Sequence, residues 1–101
     1  MVIYSVTLNI DEEVHEDWLN WMKNHHIPDV MSCGIFKEHR FLKVLSRNDG
    51  EEGYTYNIQY SCPSMKELDR YQKEYAPKLQ EEHQQRYENK FVAFRTLLEE
   101  A

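Results

Sequence analysis

From residue 54 to residue 61 the side chains alternate without interruption, Tyr54, Tyr56, Ile58 and Tyr60 on one side and Thr55, Asn57, Gln59 and Ser61 on the other. A period of two belongs to a β-strand, whose successive side chains leave opposite faces of a sheet. One face is aromatic and aliphatic and the other amide-rich, so the strand reads as part of a sheet covered on one side only. The same period runs from Val2 to Ile10, where Val2, Tyr4, Val6, Leu8 and Ile10 oppose Ser5, Thr7 and Asn9. Any fold for this chain has to place a layer over those two apolar faces.

Helical patterns supply the layer. Asp11 or Asn9 can cap a helix whose first turn carries Glu12 and Glu13, where the helix dipole favours acids. Val14, Trp18, Trp21, Met22 and His25 then recur at helical spacing, which predicts an apolar stripe with both indoles on the sheet. Pro28 predicts the end of that helix, because the residue before a proline is pushed out of the α region, with a loop over 27–34. Residues 35–46 read as a second strand. Residues 47–53, with the step Asp49-Gly50, read as the turn of a longer hairpin into the third. Ser64 and Glu67 have the spacing of a capping box, and Met65, Leu68, Tyr71 and Tyr75 continue one helical stripe. Pro77 predicts a break, after which Leu79, His83 and Tyr87 restart the stripe. Residues 90–99 read as a last strand, with Val92, Phe94, Thr96 and Leu98 opposing Phe91, Ala93, Arg95 and Leu97.

The order βαββαβ predicts an α+β, ferredoxin-like fold. It is a four-stranded antiparallel sheet with both helices on one face and the first and third strands central. Residues 1–101 are expected to form a single domain, a size that buries roughly 60–70% of the unfolded chain's surface. The tyrosine-bearing strand sides are expected under the helices. The open face is then expected to hold Ser5, Thr7, Asn9, Asn57, Gln59, Ala93, Arg95 and Leu97, with Glu38, Arg40 and Leu42 from the weakly alternating second strand. A face that mixes apolar and polar groups suits a wet cleft or a partner surface, and pairing with a second copy is the simplest use of it.

Charge and cysteines narrow the setting. Eighteen acidic against twelve basic residues give a net charge of −6 with no basic stripe, so neither nucleic acid nor an anionic membrane is an expected partner. No apolar run exceeds four residues, which speaks against a membrane span or a signal-peptide core and for the cytoplasm. With Ser46 opposite Gly53 in the hairpin, Cys62 would face Lys37, roughly 13 Å along the strand from Cys33 at ~3.3 Å per residue. A disulfide needs Cα atoms within about 7 Å, so two free thiols are expected.

Ligand contacts are sought on the open face. A guanidinium at Arg95 in mid-strand calls for a carboxylate, which can be an anionic ligand, Glu38 or a group of the partner subunit. Thr7, Asn9, Asn57, Gln59 and Arg40 either hydrogen-bond a planar polar ligand there or satisfy one another across a dimer seam. Of the pair His25 and His26, His26 is the candidate general base, since His25 continues the apolar stripe; against this, a histidine at a helix C-terminus is favoured by the dipole alone. His15, His39 and His83 fall on separate elements, so no metal site is expected. Three glycines assemble no phosphate-binding loop, and no cofactor is expected.

The stretches Trp18-Leu19-Asn20-Trp21-Met22, His26-Ile27-Pro28-Asp29-Val30, Tyr71-Gln72 to Ala76-Pro77 and Phe91-Val92-Ala93-Phe94-Arg95-Thr96-Leu97-Leu98 carry a resemblance. The chain resembles domain-of-unknown-function family 4286 of bacteria, within the dimeric α+β barrel group that includes antibiotic-biosynthesis monooxygenases and EthD-like proteins. The resemblance implies a dimer with two sheets face to face around a cavity, and no assigned activity. Haem-degrading members of that group use an asparagine, a tryptophan and a histidine around the haem, whereas both tryptophans here lie on the core stripe of the first helix. Three readings follow: a homodimeric module holding a small polar or aromatic metabolite between its sheets, a cofactor-independent monooxygenase or isomerase with His26 as base, or an assembly domain without a ligand.

Overall fold

The computed structural model describes residues 1–46 and 50–101. Its elements follow the expected order. They are β1 (Val2–Ile10), a 3-10 turn (Glu12–Val14), α1 (His15–Trp21), a π-helical turn (Met22–His26), α2 (Ile27–Ser32), β2 (Glu38–Lys43), β3 (Tyr54–Cys62), α3 (Met65–Glu74), α4 (Ala76–Arg86) and β4 (Phe91–Glu99). The described residues form a four-stranded antiparallel sheet in the order β2-β3-β1-β4, so the two strictly alternating strands are the central ones. Directly opposed residues of an antiparallel pair share a face. The matches Tyr4 with Tyr60, Val6 with Ile58 and Leu8 with Tyr56 therefore gather the apolar sides under the helices. Trp18, Ile58 and Leu68 are completely enclosed there. None of the helices among the described residues is long and apolar enough to cross a membrane.

Local signals read from the sequence are realised at several ends. Asp11 Oδ1 accepts from the Glu13 amide at 2.8 Å, and Ser64 Oγ accepts from the Glu67 amide at 3.3 Å. Pro77 falls in the first turn of α4 and splits the second helical region into the two expected pieces. Strand β2 is shorter than expected but keeps the expected register, with Glu38, Arg40 and Leu42 opposite Ser61, Gln59 and Asn57 on the open face. The hairpin turn expected over 47–53 falls in part, at 47–49, outside the described residues. At its end Gly53 has φ +75°, and a Cβ there would lie 2.5 Å from the Ile10 carbonyl oxygen, so only glycine lets β3 start that close to β1. Cys33 and Cys62 are free thiols.

Two expectations are corrected. Pro28 does not end the first helical region, because Ile27 N–H bonds to the Met22 carbonyl five residues back and Pro28 opens a further helix that runs to Ser32. A proline ring clashes with the carbonyl four residues earlier in a regular α-helix, and the wider π turn relieves that clash. The extra residue also turns the stripe onward by one position. His25 is left exposed and His26 is drawn inward, so His25 does not continue the stripe. The second correction concerns β4. Arg95, Ala93 and Leu97 do not share the open face with Thr7 and Asn57, because they lie opposite Val6, Leu8 and Tyr4 on the helix side. Both faces of β4 are apolar in part, so alternation leaves its phase undetermined. The turn before it decides: Asn89 takes φ +64°, Lys90 N–H bonds to the Tyr87 carbonyl at 2.9 Å, and Asp11 N–H bonds to the Lys90 carbonyl at 2.8 Å. Phe91 is thereby set opposite Ile10, with its ring edge-on to His83 at 4.4 Å between centroids.

Candidate functional site

The β4 register creates a cleft of about 600 Å³ between the β1–β4 side of the sheet and the helices. That volume falls in the range of small-molecule sites, roughly 300–1,000 Å³. Its apolar wall comes from the inward positions of the central strands and from the helices, Val6, Leu8, Ile58, Met22 and Val30 among them. Its polar groups are Tyr4, Tyr60, Tyr71, His26, His83, Gln80 and Arg95, with Glu81 and Gln84, both exposed, completing the border.

Arg95 Nε donates to Tyr4 Oη at 2.9 Å, and Gln80 Nε2 reaches the same oxygen at 3.5 Å. Arg95 does not meet Glu38, which lies on the opposite face of the sheet, and it makes no ion pair among the described residues. Arg95 is exposed and brings its guanidinium to the border of the cleft. The His83 ring is buried and receives the Trp18 indole N–H on Nε2 at 2.9 Å. Burial pushes its pKa down to about 3, helped by His26 and Arg95. His26 stacks on Trp21 at 5.1 Å and stands 5.7 Å from His83, and its Nδ1 is buried without a hydrogen-bond partner among the described residues. Burial lowers its pKa to about 4, with Asp29 opposing and Arg95 adding to the effect. Both rings are therefore neutral at physiological pH, and His26 can accept a proton. Burial also raises the pKa of Tyr60 and Tyr71, which keeps those phenols protonated.

Of the residues singled out from the sequence, the structure brings His26 and Arg95 together at this cleft and leaves the others elsewhere. Asn57 Nδ2 donates to Ser5 Oγ at 2.8 Å and to Thr7 Oγ1 at 3.1 Å, and Asn9 Nδ2 donates to the Glu52 carbonyl at 3.0 Å and Thr55 Oγ1 at 3.1 Å. These open-face groups satisfy one another across the sheet surface. Gln59 and Arg40 stand opposite each other on the same face, Arg40 exposed. Sequence reasoning missed Tyr4, Tyr60, Tyr71, Gln80 and His83 as site residues. Tyr4 and Tyr60 face the helices and Tyr71 the sheet, as their periodicity predicts, but a polar tip on an inward tyrosine is the available signal that part of that layer is not sealed.

The fold recurs among solved structures. An EthD family protein of Bacillus halodurans C-125 superimposes with a TM-score of 0.74 at 11% identity, covering 100% of both chains. A dimeric ferredoxin-like protein from an uncultured marine organism gives 0.68 at 14% identity over 100% of this chain and 95% of that one. SnoaB of Streptomyces nogalater, a cofactor-independent oxygenase, gives 0.66 at 11% identity over 98% and 91%. Identities this low show the fold, ferredoxin-like and of the dimeric α+β barrel type, and nothing of the chemistry. A search of curated proteins finds no match. Kinship comes instead from a match that runs from the first residue to the last: over residues 1–101 the chain belongs to the family described as Domain of unknown function (DUF4286).

Proposed function

We propose that the protein is a homodimeric small-molecule-binding module of the cytoplasm, folded as one domain, with the ligand held in each subunit's own cleft between sheet and helices. The observation that carries this reading is the cleft itself: an apolar wall on which two neutral imidazoles, three phenols and one guanidinium, without an ion pair among the described residues, converge. A few polar groups on an apolar wall are what orient a small ligand. A flat polar or aromatic metabolite fits that description. Ala93 lies on the wall and is half-buried. Ala93→Phe is expected to fill the cleft and weaken binding of flat aromatic fragments by about tenfold or more, with the fold kept. Fragment titrations followed by ¹H–¹⁵N NMR check this; unchanged affinity would place the ligand elsewhere.

Pairing is assigned to the open face. Val92 is 73% exposed, Phe94 61%, Leu98 42% and Leu42 36%, on a surface that also carries the bonded side chains of Ser5, Thr7, Asn9 and Asn57 and, at β2, Glu38 and Arg40. A monomer rarely leaves such a patch to water, and one of the solved relatives is described as dimeric. Sedimentation is expected to give twice the chain mass. Phe94→Glu, which sets a carboxylate in the patch, is expected to return most of the protein to monomer at micromolar concentration.

A second reading, a cofactor-independent oxygenase or isomerase, is favoured by one observation: His26 is neutral, borders the cleft and has a buried ring nitrogen without a partner among the described residues. As base it would take a proton from a bound phenol or enol, and Arg95 would steady the anion formed. Turnover of a phenolic substrate, measured as product or dioxygen consumed, separates it from reversible binding.

A further inference from the structure

We infer that the cleft is an anion receptor for the carboxylate of a flat, otherwise apolar molecule, in which Arg95 supplies the charge and Trp18 acts at one remove as a positioning residue that fixes His83 as a hydrogen-bond donor. This rests on the proposed binding role of the same cleft and adds the class of ligand.

The polar groups left over after the protein has bonded to itself are mainly donors. A guanidinium has five N–H groups, and Arg95 uses one of them on Tyr4. The Tyr4 oxygen accepts from Arg95 and from Gln80, so what it has left to offer is its own O–H. An indole N–H can only donate. The Trp18 bond to His83 therefore obliges Nε2 to accept and places the imidazole proton on Nδ1, which has no protein acceptor among the described residues. Tyr60 and Tyr71 add hydroxyls with no hydrogen bond among the described residues.

The acceptors are fewer, with the Tyr60 and Tyr71 oxygens able to accept as well as donate. The Glu81 carboxylate is exposed and receives Gln85 Nε2 at 3.2 Å, the glutamine side chains can turn either end inward, and His26 offers one nitrogen. A cluster of donors around one cation complements an oxyanion and repels an ammonium. In a chain of net charge −6, Arg95 makes no ion pair among the described residues, and among the groups lining the cleft it is the sole cation. The apolar wall next to it requires the rest of the ligand to be hydrocarbon.

The test uses the full chain with 2-naphthoate and its uncharged counterpart 2-naphthalenemethanol, titrated under ¹H–¹⁵N NMR at neutral pH. Naphthoate is expected to bind about tenfold or more tightly than the alcohol, and Arg95→Gln to bring it down to the alcohol's level. The ¹⁵N shifts of His83 in the unaltered protein are expected to show the proton on Nδ1, and Trp18→Phe to mix the two tautomers and reduce the preference for naphthoate. Equal binding of acid and alcohol would overturn the anion receptor while leaving a binding cleft. Failure of both probes would remove the cleft's binding role as well. A proton found on His83 Nε2 in the unaltered protein would overturn the part assigned to Trp18, whether or not the Phe variant folds.

Discussion

Between neutrality and about pH 4 the protein is expected to lose at least about 3 kcal/mol of stability. The cause is two buried rings, His26 and His83, whose pKa values stand at about 4 and about 3 in the fold, against about 6.5 in the unfolded chain. A lowered histidine pKa means that the unfolded state binds the proton first. The contribution is therefore complete above the unfolded value and is lost as the pH falls from there toward the folded values, at about 1.4 kcal/mol per pH unit and per ring. Two and a half units make about 3 kcal/mol for one ring. His15, also lowered by burial, acts in the same direction. Against a total of about 5–15 kcal/mol, that shift carries the protein toward its unfolding transition. Urea melts across this range measure it. His83→Gln keeps an acceptor for the Trp18 indole but has no proton to take up, and it is expected to flatten the dependence by about one ring's share. An unchanged dependence in that variant would show that other groups govern acid unfolding.

Trp18→Ala is expected to cost about 3–5 kcal/mol from the cavity alone. Trp18 has no exposed surface, lies 5.1 Å from the Tyr56 ring and 5.7 Å from Phe41, and spans from the sheet to α4 through its bond to His83. Removing it also leaves the His83 Nε2 without its donor, a further cost of about 1–3 kcal/mol for a buried acceptor. A thermal melt should fall by about 12 °C or more. Trp21, half-buried and lying against His26, His83 and Tyr87, is expected to tolerate the same change at clearly lower cost. A Trp18→Ala protein within about 1 kcal/mol of the original would mean that the helix layer is not held by this side chain.

Most of the fold was legible because its signals are local or periodic. Alternation in β1 and β3 named the buried face correctly, and the register of the β2–β3 pair followed from the hairpin. Ser64 with Glu67 and then Pro77 marked the start and the break of the second helical region. The candidate site was legible only in part. His26 lies at the cleft, as its sequence reading expects, but His25 is exposed and carries no stripe that would set the two apart. The π turn at Met22–His26 moved the stripe, and a π turn has no signature in composition or spacing. The open-face residues Thr7, Asn9, Asn57 and Gln59 kept their predicted side, yet the first three proved to be engaged with their neighbours on the sheet.

The sequence by itself determined the order of elements, the central pair of strands and which of their sides is buried, because a period of two with one apolar face admits no other placement. Tertiary structure alone decided where the cleft lies. Strand β4 is apolar on both faces, so its own residues are indifferent to phase, and the left-handed turn at Asn89 together with the pairing of Phe91 and Ile10 set it. That one register carried Arg95 from the side of Asn57 to the side of Tyr4, and with it the charge on which the proposed function turns.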